Sequence, residues 1–532
     1  MLKILNGESK SITSAALVVG AASLFSRLIG LLRDRILAGE FGAGEQLDIY
    51  FAAFRIPDFL FQLLIVGALS AGFIPLFARL QHDHGDRAWV FAGSVLHIVM
   101  IILAVMGALL ALIAGWVVPL MTPGFSHAAQ SETIVLTRIM LVSPIFLGMS
   151  AVFGGILQTF KQFFVNALAP IFYNIGIIVG ALYGVPYVGL MGLAWGVVFG
   201  AFLHACIQIP SVYRLGFRYH TAIARMRNEL LTLCKLMVPR VFALAMTQGT
   251  LVAMTMIAST LTAGSLAMFN FANNMASLPI GIFGISYAIA AFPTFTEHVV
   301  RGDTDRFRRS LAATVRHVLF FLIPCTVLFI LLRAQIVRAV LGAGAFDWED
   351  TIHTMNTLAA FAVGMVAVAI NFILIRGFWA YEDTRTPAII VTLGSVLSVV
   401  VAVFAAPYWG VEALGAAITM GSVLQLGFSW LMLRRHTGTL CESVIFISLA
   451  KITVGTFALA LGVQGAKMFF GVQYGTATLI EVVLQGGIAS LIGIALYIMV
   501  CWLLQSRELM QLIASVRRRI APNSEQLELF EQ

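Results

Sequence analysis

The chain has 532 residues, of which 60% are hydrophobic and only 11% charged, and its formal net charge is +8. Soluble globular proteins carry about 25% charged residues, so this chain has too few charges to cover a water-facing surface. Its five cysteines lie in or beside apolar runs and show no CxxC or other metal-binding spacing. The composition therefore excludes a soluble enzyme, a disordered scaffold and a secreted disulfide-rich domain.

Apolar stretches long enough to cross a membrane recur along the whole chain. A helix needs about 20 apolar residues to span the hydrocarbon core. Fourteen stretches qualify, at residues 15–38, 47–79, 89–120, 133–159, 163–183, 187–212, 230–260, 265–297, 308–332, 351–380, 385–406, 411–433, 444–465 and 478–504. The first is too long for a signal peptide and lacks a small-residue cleavage site. We therefore expect an all-α polytopic membrane protein with about 14 transmembrane helices.

The basic residues between these stretches are distributed very unevenly. The N-terminus, the even-numbered loops and the C-terminal tail hold 22 Lys and Arg residues, whereas the odd-numbered loops hold Arg333, Arg338 and Lys467. Basic residues concentrate on the cytoplasmic side of membrane proteins. This bias predicts that both termini are cytoplasmic.

A weak internal repeat divides the chain. Gly44 and Gly264, each closing a short turn, are 220 residues apart, and Pro57 and Pro279 are 222 apart. Two repeats of the same orientation typically form two bundles with a substrate site between them. We therefore predict a cytoplasmic N-terminus (1–14), a six-helix N-lobe (15–212), a cytoplasmic linker (213–229), a six-helix C-lobe (230–433), a terminal helix pair (434–504) and a cytoplasmic tail (505–532).

Charged residues cluster in the first two spans, where a charge in the bilayer is costly and commonly functional. The first span carries Arg27, Arg33 and Asp34 in the stretch SRLIGLLRD. In the second span, Asp48, Arg55 and Gln62 are spaced by seven and share one helix face. Span eight carries an uncharged polar stripe: Asn270, Asn273, Asn274 and Ser277.

These positions allow two interpretations. The planar guanidinium of arginine can donate two hydrogen bonds to one phosphate, so the three arginines favour an anion site with Asp34 and Asp48 as counter-ions. Alternatively, the charges form a network that only joins the first two helices. The polar stripe of span eight is more typical of helix packing than of a ligand site. There is no Walker loop, paired metal spacing or nucleophile elbow, so no enzyme is indicated.

Several motifs together resemble the MurJ (MviN) family of lipid II flippases, within the multidrug, oligosaccharidyl-lipid and polysaccharide exporter superfamily. They are SRLIGLLRD, FGAGEQLDIYFAAFRIPDFL, GALSAGFIPLFARL, MTPGF, GGILQTFKQFFVNALAPIFYN, SLPIGIFGISYAIAAFPTF and RGFWAYEDTRTP, in that order from residue 26 to residue 387. The resemblance implies a transporter for peptidoglycan biosynthesis, cell-wall biogenesis and cell shape. Its implied architecture is two six-helix lobes in a V around a central cationic cavity, with the terminal pair forming a lipid-tail groove.

The resemblance also implies which residues bind substrate. It assigns Arg27, Arg33, Asp34, Asp48 and Arg55 to the binding of the pyrophosphate and sugar head group of lipid II. The chain departs from the family at three positions: Gln62 and Asn274 stand where arginine is usual, and Val66 where an acid is usual. We include Gln62 and Asn274 among the expected substrate-binding positions, although the cavity then has fewer positive charges.

The expected function is a lipid II flippase of the bacterial inner membrane that works by alternating access. No cofactor or metal is expected, and a membrane potential or an ion gradient could drive the cycle; the ion is not identified. The expected partners are lipid II or a related lipid-linked sugar and membrane lipids, with no nucleic acid. The alternatives are a flippase or exporter for another substrate of the superfamily, and a non-transporting scaffold that binds peptidoglycan synthesis enzymes.

Overall fold

The computed structural model describes residues 12–63, 69–83, 85–224, 226–473 and 478–520. Within these ranges the protein is helical and contains no β-strand. Val66, one of the departures from the family, and Arg225 of the predicted linker lie outside the described residues, as do most of the predicted N-terminus and the end of the predicted tail. The all-α prediction is confirmed.

The helices follow one another with short connections. The first eleven are α1 (Ile12–Phe41), α2 (Glu45–Phe61), α3 (Leu69–Asp83), α4 (Gly85–Met121), α5 (His127–Met140), α6 (Ser143–Thr159), α7 (Phe163–Val179), α8 (Val185–Val188), α9 (Met191–Cys206), α10 (Ile209–Arg214) and α11 (Arg227–Ser259). The remaining ten are α12 (Ser265–Pro279), α13 (Ser286–Val300), α14 (Thr304–Leu331), α15 (Arg333–Val340), α16 (Trp348–Ala380), α17 (Arg385–Trp409), α18 (Glu412–Thr437), α19 (Glu442–Gln473), α20 (Leu479–Leu503) and α21 (Arg507–Ile520).

Eleven continuous helical segments of the described chain are long and apolar enough to cross a membrane. They are Gly85–Met121, His127–Thr159, Phe163–Val188, Met191–Arg214, Ser265–Val300, Thr304–Leu331, Trp348–Ala380, Arg385–Trp409, Glu412–Thr437, Glu442–Phe470 and Leu479–Leu503. Each coincides with one of the fourteen predicted spans. The other three predicted spans, 15–38, 47–79 and 230–260, correspond to α1, to α2 with α3, and to α11. The count of fourteen stays a prediction.

Two of these segments contain a π-helical turn. One turn, Gly180–Gly184, joins α7 to α8, and the other, Ile280–Ile285, joins α12 to α13 directly after Pro279. A proline has no backbone N–H and clashes with the preceding turn of a helix, so the hydrogen-bond ladder must rearrange around it. The wide π turn keeps the segment continuous across Pro279.

The chain divides into two compact units. Unit 1 comprises residues 1–272, 340–357 and 391–417, and unit 2 comprises 273–339, 358–390 and 418–532. This division follows packing and cuts through α12, α15, α16, α17 and α18. The lobes predicted from the repeat, 15–212 and 230–433, and the separate terminal pair 434–504 stay a prediction.

Unit 1 has a large aromatic core under the loop that connects α10 to α11. Phe73 stacks on Phe77 and on Phe91, with ring centroids 5.4 and 5.7 Å apart. Phe153 and Phe217 belong to the same buried cluster. Aromatic rings bury large apolar areas, so this core fixes α3, α4 and α6 together.

Glycines set the separation of two helices in unit 1. Gly176 and Gly180 of the α7 segment face Gly200 and Gly196 of α9, and a Cβ on Gly180 would lie 2.5 Å from the Cα of Gly196. Such close contact needs residues without a side chain, as in the small-xxx-small pattern of membrane helices. The glycines therefore hold α7 at a fixed position, and α7 in turn faces α1, which carries the predicted site residues.

Candidate functional site

Arg33 and Asp34 form a compact ion pair within α1. The Nη2 and Nε atoms of Arg33 donate to Oδ1 of Asp34 at 2.7 and 3.0 Å. The side chain of Arg33 is 20% exposed and that of Asp34 only 3%. Nη1 of Arg33 also donates to Oδ1 of Asn174 on α7, at 3.0 Å. The pair therefore joins α1 to α7, and Asp34 occupies the counter-ion position expected of it.

Arg27 lies two turns earlier on α1 and lines a cavity of about 530 Å³. The polar lining consists of Ser26, Arg27, Gln158 and Asn166, and the apolar lining of Phe163, Ala167 and Pro170. The cavity lies between α1, the end of α6 and the first turns of α7. Because Arg27 is near Asn166 and Arg33 contacts Asn174, α1 and α7 run in the same direction.

Arg55 is buried on α2 and faces other helices than the α1 arginines do. Its Nε donates to Oγ1 of Thr255 on α11 at 3.1 Å, and its Nη2 donates to Oδ1 of Asn270 on α12 at 3.2 Å. The carboxylate of Asp58, one turn further along α2, interacts electrostatically with the Arg55 guanidinium. The three arginines are thus distributed over two polar seams of unit 1, one along α7 and one along α11 and α12.

Asp48 does not act as the counter-ion that the sequence predicted. Its Oδ2 accepts from the backbone N–H of Gly264 at 2.7 Å, and its Oδ1 accepts from that of Ala267 at 2.8 Å. These N–H groups lie at the start of α12, where the helix has unpaired donors and a positive dipole end. The carboxylate is compensated by the helix terminus, which explains why it needs no arginine.

The predicted position Gln62 directly follows α2 and contacts an acid. Its Nε2 donates to Oδ1 of Asp58 at 3.4 Å. Asp58 also accepts a hydrogen bond from Gln248 of α11. Gln62 therefore belongs, together with Arg55, to the polar seam along α11 and α12. Asn274 lies on the part of α12 that belongs to unit 2, and its backbone oxygen accepts from Oγ of Ser277 at 2.7 Å.

Three turns of unit 1 meet at the end of α1. Gly264 approaches Ala43 so closely that a Cβ would overlap the Ala43 carbonyl oxygen, and its φ of +90° also favours glycine. The N–H of Ala43 donates to Oδ2 of Asp350 at 2.9 Å, and the N–H of Ala345 donates to the oxygen of Gly39 at 2.8 Å. We call this group of contacts, at residues 39–48, 260–267 and 342–350, the turn cluster.

The sequence did not identify several residues of these seams. They are Asp58 and three uncharged residues, Asn174, Asn166 and Gln158, which no charge pattern separates from other polar positions. Asp58 had a usable signal, because it lies three residues after Arg55 and four before Gln62, on the same helix face. Asn174 had none, since its contact with Arg33 spans 141 residues. In the described part of the chain no group of His, Cys, Asp or Glu side chains could hold a metal ion.

The fold is similar to that of solved membrane transporters. A solved inward-facing multidrug resistance MATE family transporter of the MOP superfamily aligns with a TM-score of 0.66, at 16% identity, over 80% of this chain and 99% of its own. A solved structure of lipid II flippase MurJ in an inward closed conformation aligns with a TM-score of 0.76, at 24% identity, over 93% of this chain and 100% of its own.

The sequence assigns the family. The family model described as lipid II flippase MurJ matches residues 37–485. The lipid II flippase MurJ of Burkholderia cenocepacia is 29% identical over 440 residues, which cover 79% of this chain and 84% of that protein. A probable lipid II flippase MurJ of Vibrio cholerae is 28% identical, covering 79% and 82% respectively. The chain belongs to the MurJ lipid II flippase family, which confirms the resemblance.

Proposed function

We propose that this protein moves lipid II, the lipid-linked peptidoglycan precursor, from the cytoplasmic to the outer leaflet of the bacterial inner membrane. The observation that carries the proposal is the match to the flippase family over residues 37–485. The membrane-spanning helices and the arginines of α1 suit this task, since the head group of lipid II is anionic and must cross the apolar core. The protein acts as a transporter and not as an enzyme.

The head group binds first at the arginines of α1. Arg27 lines a cavity and forms no hydrogen bond or ion pair with the described residues, so its charge is available to a phosphate. Arg33 is already paired with Asp34, and an incoming phosphate competes for its guanidinium. Arg55, on α2, adds to the positive electrostatic potential that attracts the phosphates. Charge-assisted contacts of this kind are worth roughly 1.5–3 kcal/mol each.

The turn cluster closes the opposite end of unit 1. Along α1, the step from Arg27 to Phe41 corresponds to about 21 Å at 1.5 Å per residue. Alternating access requires that this end open after the head group has bound, so the bonds of Asp48 and Asp350 to backbone N–H groups must break. Asp48 therefore helps to hold this end of unit 1 closed. A membrane potential or an ion gradient drives the transport cycle.

The orientation and the path of the lipid follow from the charge bias. Both termini lie in the cytoplasm, so the Arg27 cavity is near the cytoplasmic face and the turn cluster near the outer face. The polyprenyl tail stays in the bilayer, because exposing so much apolar surface to water is prohibitive. It lies along α19 and α20, whose outward faces carry exposed apolar side chains such as Phe457 and Leu491. Peptidoglycan synthesis enzymes are the expected protein partners.

Complementation of a bacterium depleted of its own flippase tests this function. Expression of the wild-type chain should restore growth and the appearance of lipid II in the outer leaflet, measured by labelling from outside. Restored growth without outer-leaflet lipid II would contradict the proposal, and so would a membrane-inserted protein that restores neither. An exporter of another substrate and a non-transporting scaffold both predict no recovery of outer-leaflet lipid II.

A further inference from the structure

The cavity beside Arg27 contains more hydrogen-bonding groups than a phosphate site needs. Four polar side chains line it: Ser26, Arg27, Gln158 and Asn166. By contrast, Arg33 on the same helix α1 is paired with Asn174, at 3.0 Å. None of the four cavity side chains donates or accepts a hydrogen bond with another group of the described chain. The hydrogen-bonding groups of the half-buried Ser26, Arg27 and Asn166 and of the exposed Gln158 are therefore available to a ligand in the cavity.

The charge of this lining indicates the chemistry of the ligand. Among the described residues that line the cavity, Arg27 is the single cation, and the other three polar side chains are a hydroxyl and two carboxamides. The first turn of α7 adds the partial positive charge of a helix N-terminus. A ligand that fits has one anionic group, next to Arg27, and neutral groups that both donate and accept hydrogen bonds, next to Gln158 and Asn166.

The apolar side of the cavity and its size add a second constraint. Phe163, Ala167 and Pro170 form an apolar wall opposite the polar groups. A sugar ring has an apolar face of C–H groups and a rim of polar substituents, and it matches such a two-sided lining. The volume of about 530 Å³ lies within the range of about 300–1,000 Å³ that small-molecule sites have.

We propose that this cavity binds the sugar attached to the diphosphate of the substrate, with Gln158 and Asn166 hydrogen-bonding its hydroxyl and acetamido groups and Phe163 contacting its ring. Arg27 holds the adjacent phosphate. This inference rests on the proposed function, and it assigns to two neutral amides the discrimination between a sugar-bearing lipid diphosphate and a bare one. Such discrimination is physically reasonable, since a site built to bond a polar group rejects a ligand that lacks it.

A glycine on α6 offers a way to move one of these amides without removing it. A Cβ on Gly154 would lie 2.6 Å from Oδ1 of Asn166. The substitution Gly154→Ala therefore displaces the Asn166 carboxamide from its present position. It does so without removing any hydrogen-bonding group from the protein. Gln158 is exposed at the end of α6, so Gln158→Ala does not disturb the core.

The test measures binding of two lipids to the full-length protein in lipid nanodiscs. The probes are lipid II and undecaprenyl diphosphate, which carries no sugar. We expect Asn166→Ala, Gln158→Ala and Gly154→Ala each to weaken lipid II binding about three- to tenfold, the effect of losing one neutral hydrogen bond, with undecaprenyl diphosphate binding unchanged. Arg27→Ala should weaken both probes. The control is Gln46→Ala, an exposed amide on α2, which should change neither.

The two probes separate failure of this inference from failure of the proposed function. If wild-type protein binds both lipids but the amide variants bind lipid II as tightly as wild type, the sugar site is refuted and the flippase proposal stands. An equal loss for both probes also refutes it, because the amides would then serve the phosphate. If wild-type protein binds neither lipid, both proposals fail. Wild-type thermal stability of each purified variant serves as the independent check on folding.

Discussion

Arg33 and Asp34 illustrate how a charge is tolerated inside a helix that is predicted to span the membrane. The pair is nearly neutral as a unit, and Asn174 fixes the orientation of the guanidinium. Such a pair contributes little net stability, but removing one partner leaves a buried charge uncompensated at a cost of about 3–5 kcal/mol. Arg27 has no such partner among the residues that the structure describes, so its role must be different.

This contrast leads to a prediction for the two arginines. Arg27→Ala should accumulate in the membrane at the wild-type level and fail to complement a flippase-depleted strain. Arg33→Ala should accumulate poorly because Asp34 loses its partner. The double variant Arg33→Ala/Asp34→Asn should recover the protein level but not transport. Immunoblots of membrane fractions and growth assays measure both effects; normal growth with Arg27→Ala would show that Arg27 is not needed for the head group.

Gln62 occupies a position where the family usually has arginine, and its surroundings suit a cation. Its amide already donates to Asp58 at 3.4 Å. We therefore expect Gln62→Arg to accumulate normally and to bind lipid II at least as tightly as wild type, since the new guanidinium would face a carboxylate. The measurements are membrane level and lipid II binding. A lipid-facing arginine would cost several kcal/mol, so absence of the variant from the membrane would place position 62 on the other face of α2.

At the scale of elements, the position of α7 depends on the glycine contact with α9. A side chain at Gly180 or Gly196 would overlap backbone atoms of the facing helix and force the two apart. Overpacking of this kind typically costs about 1–3 kcal/mol. Since α7 supplies Asn166 and Asn174, separation of these helices would also disturb the Arg33–Asn174 hydrogen bond and the cavity beside Arg27.

We predict that Gly180→Val lowers the thermal stability of the purified protein and weakens lipid II binding together. The matched control is Gly115→Val on α4, because a Cβ at that position meets no atom within 4 Å. The control should keep wild-type stability and wild-type lipid II binding. Equal stability of Gly180→Val and Gly115→Val would mean that the close contact between α7 and α9 is dispensable.

The packing of α21 against the other helices of unit 2 depends on a buried glutamate. Glu508 is 1% exposed and accepts hydrogen bonds from Oγ of Ser448 and Oγ of Ser506, both at 2.8 Å. Arg316 of α14 lies 3.5 Å away. Burial by itself raises the pKa of Glu508, but the hydrogen bonds from Ser506 and Ser448 and the charge of Arg316 outweigh it, so the pKa is lowered.

The sign of this shift sets the pH dependence of α21 docking. A lowered folded-state pKa means that Glu508 stabilises docking fully above the ordinary glutamate pKa of about 4.3, and that this contribution is lost as the pH falls through the lowered value. Hydrogen exchange in α21 should therefore be constant from neutral pH down to about pH 5 after correction for intrinsic rates. Glu508→Gln should accelerate exchange at pH 7. Equal protection in the variant would show that the charge is not what holds the helix.

For the whole molecule, the distribution of basic residues predicts the topology. In a chain without its five cysteines, Glu45→Cys and His127→Cys should react with a membrane-impermeant reagent from outside, whereas Asp305→Cys should react only after permeabilisation. All three positions are exposed at the ends of helices. His127 is preferable to Ser126, because Oγ of Ser126 accepts from the N–H of Ala129 and caps α5. The reverse labelling pattern would invert the orientation.

The amino-acid sequence by itself determined the all-helical membrane fold and the family, and it predicted Arg27, Arg33 and Asp34 as substrate-binding residues. These features depend on composition, on the periodicity of apolar residues and on local spacing. The bilayer favours the all-helical fold, because backbone polar groups within it must form their hydrogen bonds inside their own helix. The repeat of Gly44 and Gly264 was also visible in the sequence. The sequence did not predict that the two turns contact each other.

Only the tertiary structure decided the partners of the polar side chains. Asp48 bonds to the start of α12, 216 and 219 residues away, and Arg33 bonds to Asn174 across 141 residues. Periodicity gives the face of a helix on which a residue lies, but it does not say which helix that face meets. That choice depends on close contacts such as Gly180 against Gly196, where the absence of side chains lets α7 and α9 approach and so positions Asn166 and Asn174 along α1.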